Sequence, residues 1–165
     1  MSEQSDAQFE EMVAELAQPV VVQEFIAGRE AETPVVAGVQ SIVLDPVGIS
    51  IDGETSLDSR FLSYERVAVN GYGFYDFGAE CPQMAARLRE IAALTAAVLQ
   101  LEGFCRVDCR ISNAGQPFVT DVSTTPHLVA HSAFDFRFGD LGGRPAMMAA
   151  LVGWGLSRSI LGPEL

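Results

Sequence analysis

The segment that most constrains the fold is FCRVDCRIS, residues 104–112, followed by NAGQ and then by FVTDVS, residues 118–123. Strict alternation places Cys105, Val107, Cys109 and Ile111 on one face, and Phe104, Arg106, Asp108 and Arg110 on the other. That is the period of a strand, not of a helix. Turn residues and a second β-rich run follow, so the segment reads as a hairpin. A two-residue loop at Ala114-Gly115 would set Asp108 opposite Asp121, and Arg106 opposite Ser123, on the same face.

Two carboxylates facing each other across a ladder repel. A chain tolerates the pair when a cation lies between the acids, when one is protonated, or when both reach water. Oxygen-only ligands would favour Mg²⁺ or Mn²⁺ over zinc. The competing reading is a solvated polar sheet face.

The rest of the chain supplies elements to pack against this hairpin. Residues 7–17 carry Phe9, Met12, Val13 and Leu16 at helical spacing, and Pro19 would end that helix. Residues 20–26 (VVVQEFI) read as a strand, with Ala27-Gly28 as a short break. Two further strand-like runs occupy 29–40 and 41–51, with Pro34 and Pro46 marking edges or bulges. Residues 52–80 read as a loop with short strands. The strongest helical pattern is 83–101, preceded by Pro82 and followed by Gly103. Residues 124–143 read as an irregular loop, in which Phe134, Phe136 and Phe138 form either a short strand or an exposed apolar surface able to pair. Residues 145–161 read as a last helix.

Composition excludes several functions. The net charge is −12, which is wrong for phosphate-backbone binding, so no nucleic-acid partner is expected. All ten basic residues are arginine, which removes any lysine-based chemistry. Cys81, Cys105 and Cys109 have no framework spacing and read as free thiols of a reducing compartment. No apolar run is long enough to span a bilayer, and the opening residues do not read as a signal peptide. The expectation is a soluble cytoplasmic protein without a membrane partner. His127 and His131 have H-x-x-x-H spacing, but ordinary loop histidines are the favoured reading over a zinc pair.

Residues 103–128 resemble the ATP-grasp fold, most closely its D-alanine–D-alanine ligase branch, whose pattern is G-x-x-R-x-D, a hairpin, then E-x-N-T-x-P-G. Upstream, QEFIAGREAE at 23–32 is similar to that family's E-x-F-I-x-G-R-E hinge. The order of the two motifs, the helix between them and the hairpin length all agree. The resemblance implies an α+β fold, the ATP-grasp C-terminal lobe, with a mainly antiparallel sheet and helices packed on one face. Residues 1–165 would then be a partial ATP-grasp domain, comprising hinge strand, C-terminal sheet and helices. The N-terminal substrate domain and glycine-rich loop would be absent.

The same resemblance implies a site. Asp108, Asp121 and Ser123 match metal-binding positions, where Mg²⁺ or Mn²⁺ would hold the phosphates of ATP. Arg106 matches a catalytic arginine that supports charge on the tetrahedral intermediate. Gln23, Glu24, Phe25 and Ile26 match the hinge whose main chain meets adenine, and Glu30 matches the acid that binds ribose. Ser132 matches a serine that holds the substrate carboxylate. Tyr64-Glu65-Arg66 falls where the family carries a phosphate-contacting lysine, with Arg66 an offset substitute. There are departures too. Asp121 is one methylene shorter than the usual glutamate, Ser123 replaces an amide, and His127 stands where glycine is usual.

The expected activity is ATP- and Mg-dependent carboxylate–amine ligation, ADP-forming, on a small amino-acid-like substrate. It would need a missing half or partner chain, or a homo-oligomer. The alternatives are a non-catalytic nucleotide-binding or assembly module derived from such a ligase, and a fragment of a longer reading frame.

Overall fold

The computed structural model describes residues 3–16, 21–38 and 41–161, with side chains described for 9–16, 21–38 and 41–156. Pro19, Val20, Val39 and Gln40, which figured in the sequence reading, lie outside them. The elements in order are α1 (Glu3–Leu16), β1 (Gly28–Ala37), β2 (Ile42–Val43), β3 (Val47–Ser50), α2 (Tyr64–Ala68), β4 (Gly73–Asp76), α3 (Phe77–Glu80), α4 (Pro82–Val98), β5 (Gly103–Ser112), β6 (Pro117–Ser123), α5 (Ala133–Gly139) and α6 (Gly143–Leu161). The strands form one antiparallel sheet in the order β4-β3-β1-β5-β6, with β2 also paired to β1. No helix among the described residues is long and apolar enough to cross a membrane.

The alternation in β5 splits the sheet chemically. Cys105, Val107, Cys109 and Ile111 join Ala31, Val35 and Ala37 of β1 on one buried face. α4 covers it with Ala85, Leu88, Ala92 and Ala96, at helical spacing; the alanines let the helix lie close to the strands. Cys105 and Cys109 are buried free thiols. Burial pushes the Cys109 thiol up to about 12, which leaves it inert. The opposite face carries the polar set. At its far end Val36 and Phe104 pack under Phe134, Phe138 and Met147 of α5 and α6.

Pro34 sits in the middle of β1, within the sheet, because the neighbouring chain breaks opposite it. β2 pairs with Val35 and Val36, β3 with Ala31 and Glu32, and residues 44–46 connect the two. The Pro34 carbonyl still accepts from Leu44 N at 3.0 Å. No ladder donor is needed where the partner strand is interrupted.

Several sequence expectations are corrected. Residues 21–27 are not a strand. Val21 is 80% exposed and pairs with no strand among the described residues, and a β-branched run without a neighbouring strand cannot satisfy its backbone. The strand begins instead at Gly28, in the presumed break. Residues 52–80 hold two short helices, α2 and α3, capped by Ser63 and Asp76. The Phe134–Phe138 run is neither strand nor exposed. It is helix α5, with Phe134 and Phe138 four residues apart on a buried face and Phe136 half-buried. Alternating Asp135 and Arg137 imitate a strand's period; the Ser132 cap decides for helix.

Candidate active site on the polar sheet face

The hairpin brings the predicted residues together, though not by the predicted turn. The loop has three residues, 113–115: Ser112 N donates to Gln116 O at 2.9 Å, and Gly115 takes a positive φ of 77°. Alone, that would pair Asp108 with Thr120. A bulge between Asp108 and Cys109 restores the offset, so Asp108 faces Asp121 and Arg106 faces Ser123. Thr120 is the extra residue, and its hydroxyl donates to the Asp108 carbonyl at 3.2 Å. Two departures from the simple hairpin cancel at the site.

Across β5 from β6 lies β1, which sets Glu30 opposite Arg110 and Glu32 opposite Asp108. The face therefore reads Glu30, Glu32, Arg106, Asp108, Arg110, Asp121 and Ser123. Arg106 grips Asp108 with both ends of its fork, Nε to Oδ1 at 2.7 Å and Nη2 to Oδ2 at 2.6 Å. Its Nη1 lies 3.4 Å from Glu32 Oε2, an ion-pair contact without hydrogen-bond alignment. Glu32 is 4% exposed and Asp108 8%. Burial pushes the Glu32 carboxyl up to about 8; Arg106 pulls it down, and Asp108 and Glu30 push it further up. Burial also raises Asp108 against the pull of Arg106, with Asp121 adding to the rise. For Arg106, burial works against the charge, but the Asp108 bonds and the Glu32 and Asp121 charges outweigh it and keep the guanidinium protonated.

A cavity of about 200 Å³ opens beside this group, lined by Glu32, Leu62, Tyr72, Arg106, Ser123 and His127, among others. Arg110 anchors the chain entering β1. Its Nε donates to Ile26 O at 2.6 Å, its Nη1 to Glu30 at 3.0 Å, and its plane lies 4.7 Å from the Phe25 ring centroid. Gln23 and Glu24 are exposed beside it, while burial raises the Glu30 carboxyl. Ser132 is placed differently. It is a buried helix cap, donating to Val129 O at 2.8 Å and accepting from Asp135 N at 3.1 Å. Arg66 stands apart from this group and pairs with Asp52 at 3.6 Å. His131 does not join His127; its ring packs on Tyr72 and Phe74, centroids 4.5 and 5.2 Å away.

A family model described as "D-ala D-ala ligase C-terminus" matches residues 2–151 of this chain. The chain belongs to that family. D-alanine–D-alanine ligase B of Clostridium perfringens is 30% identical over 116 residues, covering 70% of this chain and 35% of the relative. An uncharacterized protein, y4sG, of Sinorhizobium fredii is 30% identical over 128 residues, covering 74% of this chain and 36% of the relative. This member of the D-alanine–D-alanine ligase C-terminal family thus spans about a third of the length of the curated relatives it matches. The crystal structure of D-alanine–D-alanine ligase from Bacillus anthracis complexed with ATP superposes with a TM-score of 0.70 at 16% identity, covering 94% of this chain and 47% of that one. The VanG D-Ala:D-Ser ligase of Enterococcus faecalis gives 0.58 at 23%, covering 79% and 37%. At such identities the match shows the fold, that of the ATP-grasp C-terminal lobe.

Two members of the polar face escaped the sequence reading. Arg110 lay on the right strand face, two residues past Asp108, but had no visible partner. Glu32 was legible only as the alternate of Glu30 in REAE. Its place beside Asp108 depends on a β1–β5 pairing between segments 76 residues apart, which no local pattern encodes.

Proposed function

We propose that this chain is the nucleotide- and metal-handling part of an ATP-dependent, ADP-forming carboxylate–amine ligase of the D-alanine–D-alanine type, acting with further polypeptide. Family membership supports the reaction class. The observation that carries the reading is the convergence of Arg106, Asp108, Asp121 and Ser123 on one sheet face beside the cavity. A substrate of amino-acid size suits about 200 Å³.

Two carboxylates and a hydroxyl suit a hard ion, Mg²⁺ or Mn²⁺. Among the described residues no group of three or more His, Cys, Asp or Glu could hold a metal alone. Mg²⁺ does not require one, since it commonly takes one or two carboxylates and fills its shell with phosphate oxygens and water. Asp108, Asp121 and Ser123 would hold the ion, which when bound would neutralise phosphate charge as the phosphoryl group passes to a carboxylate.

The remaining roles fall to the chain itself. Arg106 is a cation lining the cavity, able to stabilise negative charge growing on an acyl oxygen. Glu30 and the main chain of Gln23, Glu24, Phe25 and Ile26 would take the ribose and adenine of ATP, with Arg110 holding that segment in place through the Ile26 carbonyl. Ser132 would reach a substrate carboxylate only by giving up its cap on α5.

Calorimetry tests this. Mg-ADP should bind, and Asp121→Asn should weaken it by about tenfold or more, as loss of a metal-site group does. No binding at any Mg²⁺ level would defeat the reading. The second reading, a non-catalytic nucleotide-binding module, draws on the hold Arg106 keeps on both Asp108 oxygens. ADP binding without phosphate release from ATP, Mg²⁺ and D-alanine, even with the complementary half of a relative supplied, would favour it.

A further inference from the structure

Arg106 and Arg110 stand on the same strand face, yet they are held in different ways. Arg110 is pinned by three separate acceptors, Ile26 O, Arg60 O and Glu30. Among the described residues, Arg106 makes its two hydrogen bonds to a single carboxylate, Asp108, and adds the loose 3.4 Å contact to Glu32. Glu32 Oε2 is buried and has no hydrogen-bond partner among the described residues. A buried oxygen without a donor is costly, and native proteins keep few of them. Here it lies 3.4 Å from Nη1 of the Arg106 guanidinium.

The proposed metal would bind Asp108, whose two oxygens are both taken by Arg106. A divalent cation on that carboxylate would face the guanidinium across one residue, and the burial of Asp108 and Glu32 weakens the screening of that repulsion. Arg106 must loosen for the ion to enter, and Glu32 is the acceptor already in place.

We infer that Glu32 is a positioning residue that takes Arg106 over from Asp108 when a divalent cation occupies the Asp108–Asp121 pair. The inference rests on the metal reading given above. Glu32 never touches the ion. It gives the displaced guanidinium a second carboxylate, and it keeps Arg106 pointed toward the cavity while Asp108 changes partner.

The test uses the full chain and Mn²⁺ alone, with free Mn²⁺ counted by electron paramagnetic resonance and Asp121→Asn as the baseline. Wild type should take up Mn²⁺ above that baseline. Glu32→Gln should weaken uptake by about tenfold, the scale of removing a supporting partner from a metal site. In ¹⁵N-arginine-labelled wild type, which needs no variant to fold, Mg²⁺ should move the Arg106 Nε–H resonance as that proton leaves Asp108. Uptake unchanged by Glu32→Gln overturns the inference and leaves the metal reading standing. Weakened uptake with an unmoved Arg106 resonance also overturns it, since Glu32 would then act only through its charge. No uptake above the baseline overturns the metal reading and this inference together.

Discussion

Arg106→Met should cost the fold about 3–5 kcal/mol at pH 8, the usual penalty for stripping one partner from a buried ion pair. Methionine keeps most of the stem, so the loss is mainly that of the charge. Asp108 loses both hydrogen bonds and Glu32 loses its ion-pair contact, with Asp121 close by. The penalty should depend on pH, and its sign follows from the carboxyls. The folded value of Glu32, about 8, lies above its ordinary 4.5, so folding favours its protonated form. That contribution is complete below 4.5 and is lost as pH climbs toward 8. Without Arg106 the folded values of both carboxyls rise further; the extra loss from Glu32 appears only above its wild-type value of about 8, so below that pH the variant's additional loss comes from Asp108, whose folded value lies above its ordinary 3.8. Thermal melts should show a drop of roughly 6–20 °C at pH 8, at about 2–4 °C per kcal/mol for a chain of this size, and a smaller drop at pH 5. An equal drop at both would mean that the guanidinium serves by packing and not by charge.

Gly28→Ala should be comparably damaging for a different reason. Gly28 opens β1 with φ of 145°, and a Cβ there would lie 2.0 Å from the Ile111 carbonyl oxygen of β5. Backbone would have to move at the end of the central β1–β5 ladder, where the Gly28 carbonyl also accepts from Leu57 N at 2.9 Å. A forbidden conformation and an overlap with main chain together should cost about 3 kcal/mol or more. Gly53→Ala is the control. It also has a positive φ, 82°, but nothing lies within 4 Å of its added carbon, so conformational cost alone, about 1–2 kcal/mol, is expected. Equal melting temperatures for the two variants would show that the contact with Ile111 yields easily. Mg-ADP affinity should fall in Gly28→Ala alone, because the segment proposed to meet adenine enters β1 through this residue.

The elements legible in the sequence were those whose signal is local and whose burial is one-sided. β5 alternates because one face packs on α4 and the other carries charge, and α4 repeats its alanines for the matching reason. The run at 20–26 misled because β-branched residues suit a strand only where another strand is present. The Phe134–Phe138 run misled because its charged residues fall at strand spacing while a cap two positions upstream sets a helix. The Asp108–Asp121 juxtaposition was read correctly through a loop one residue too short, because the Thr120 bulge supplies the compensating residue.

By itself, the sequence determined which side chains share the β5 face, the presence of a hairpin and of its covering helix, and the family to which the pattern belongs. Each follows from residue types and spacings within a few positions of one another. Only the tertiary structure decided that Glu32 lies beneath Arg106, that the guanidinium occupies both oxygens of Asp108, and that Arg110 secures the strand entry. Arg106 and Asp108 are two apart on β5, but the Glu32 and Arg110 contacts join segments about 75 to 85 residues apart in the chain. Long-range strand pairing sets them, and no local periodicity records which strands will meet.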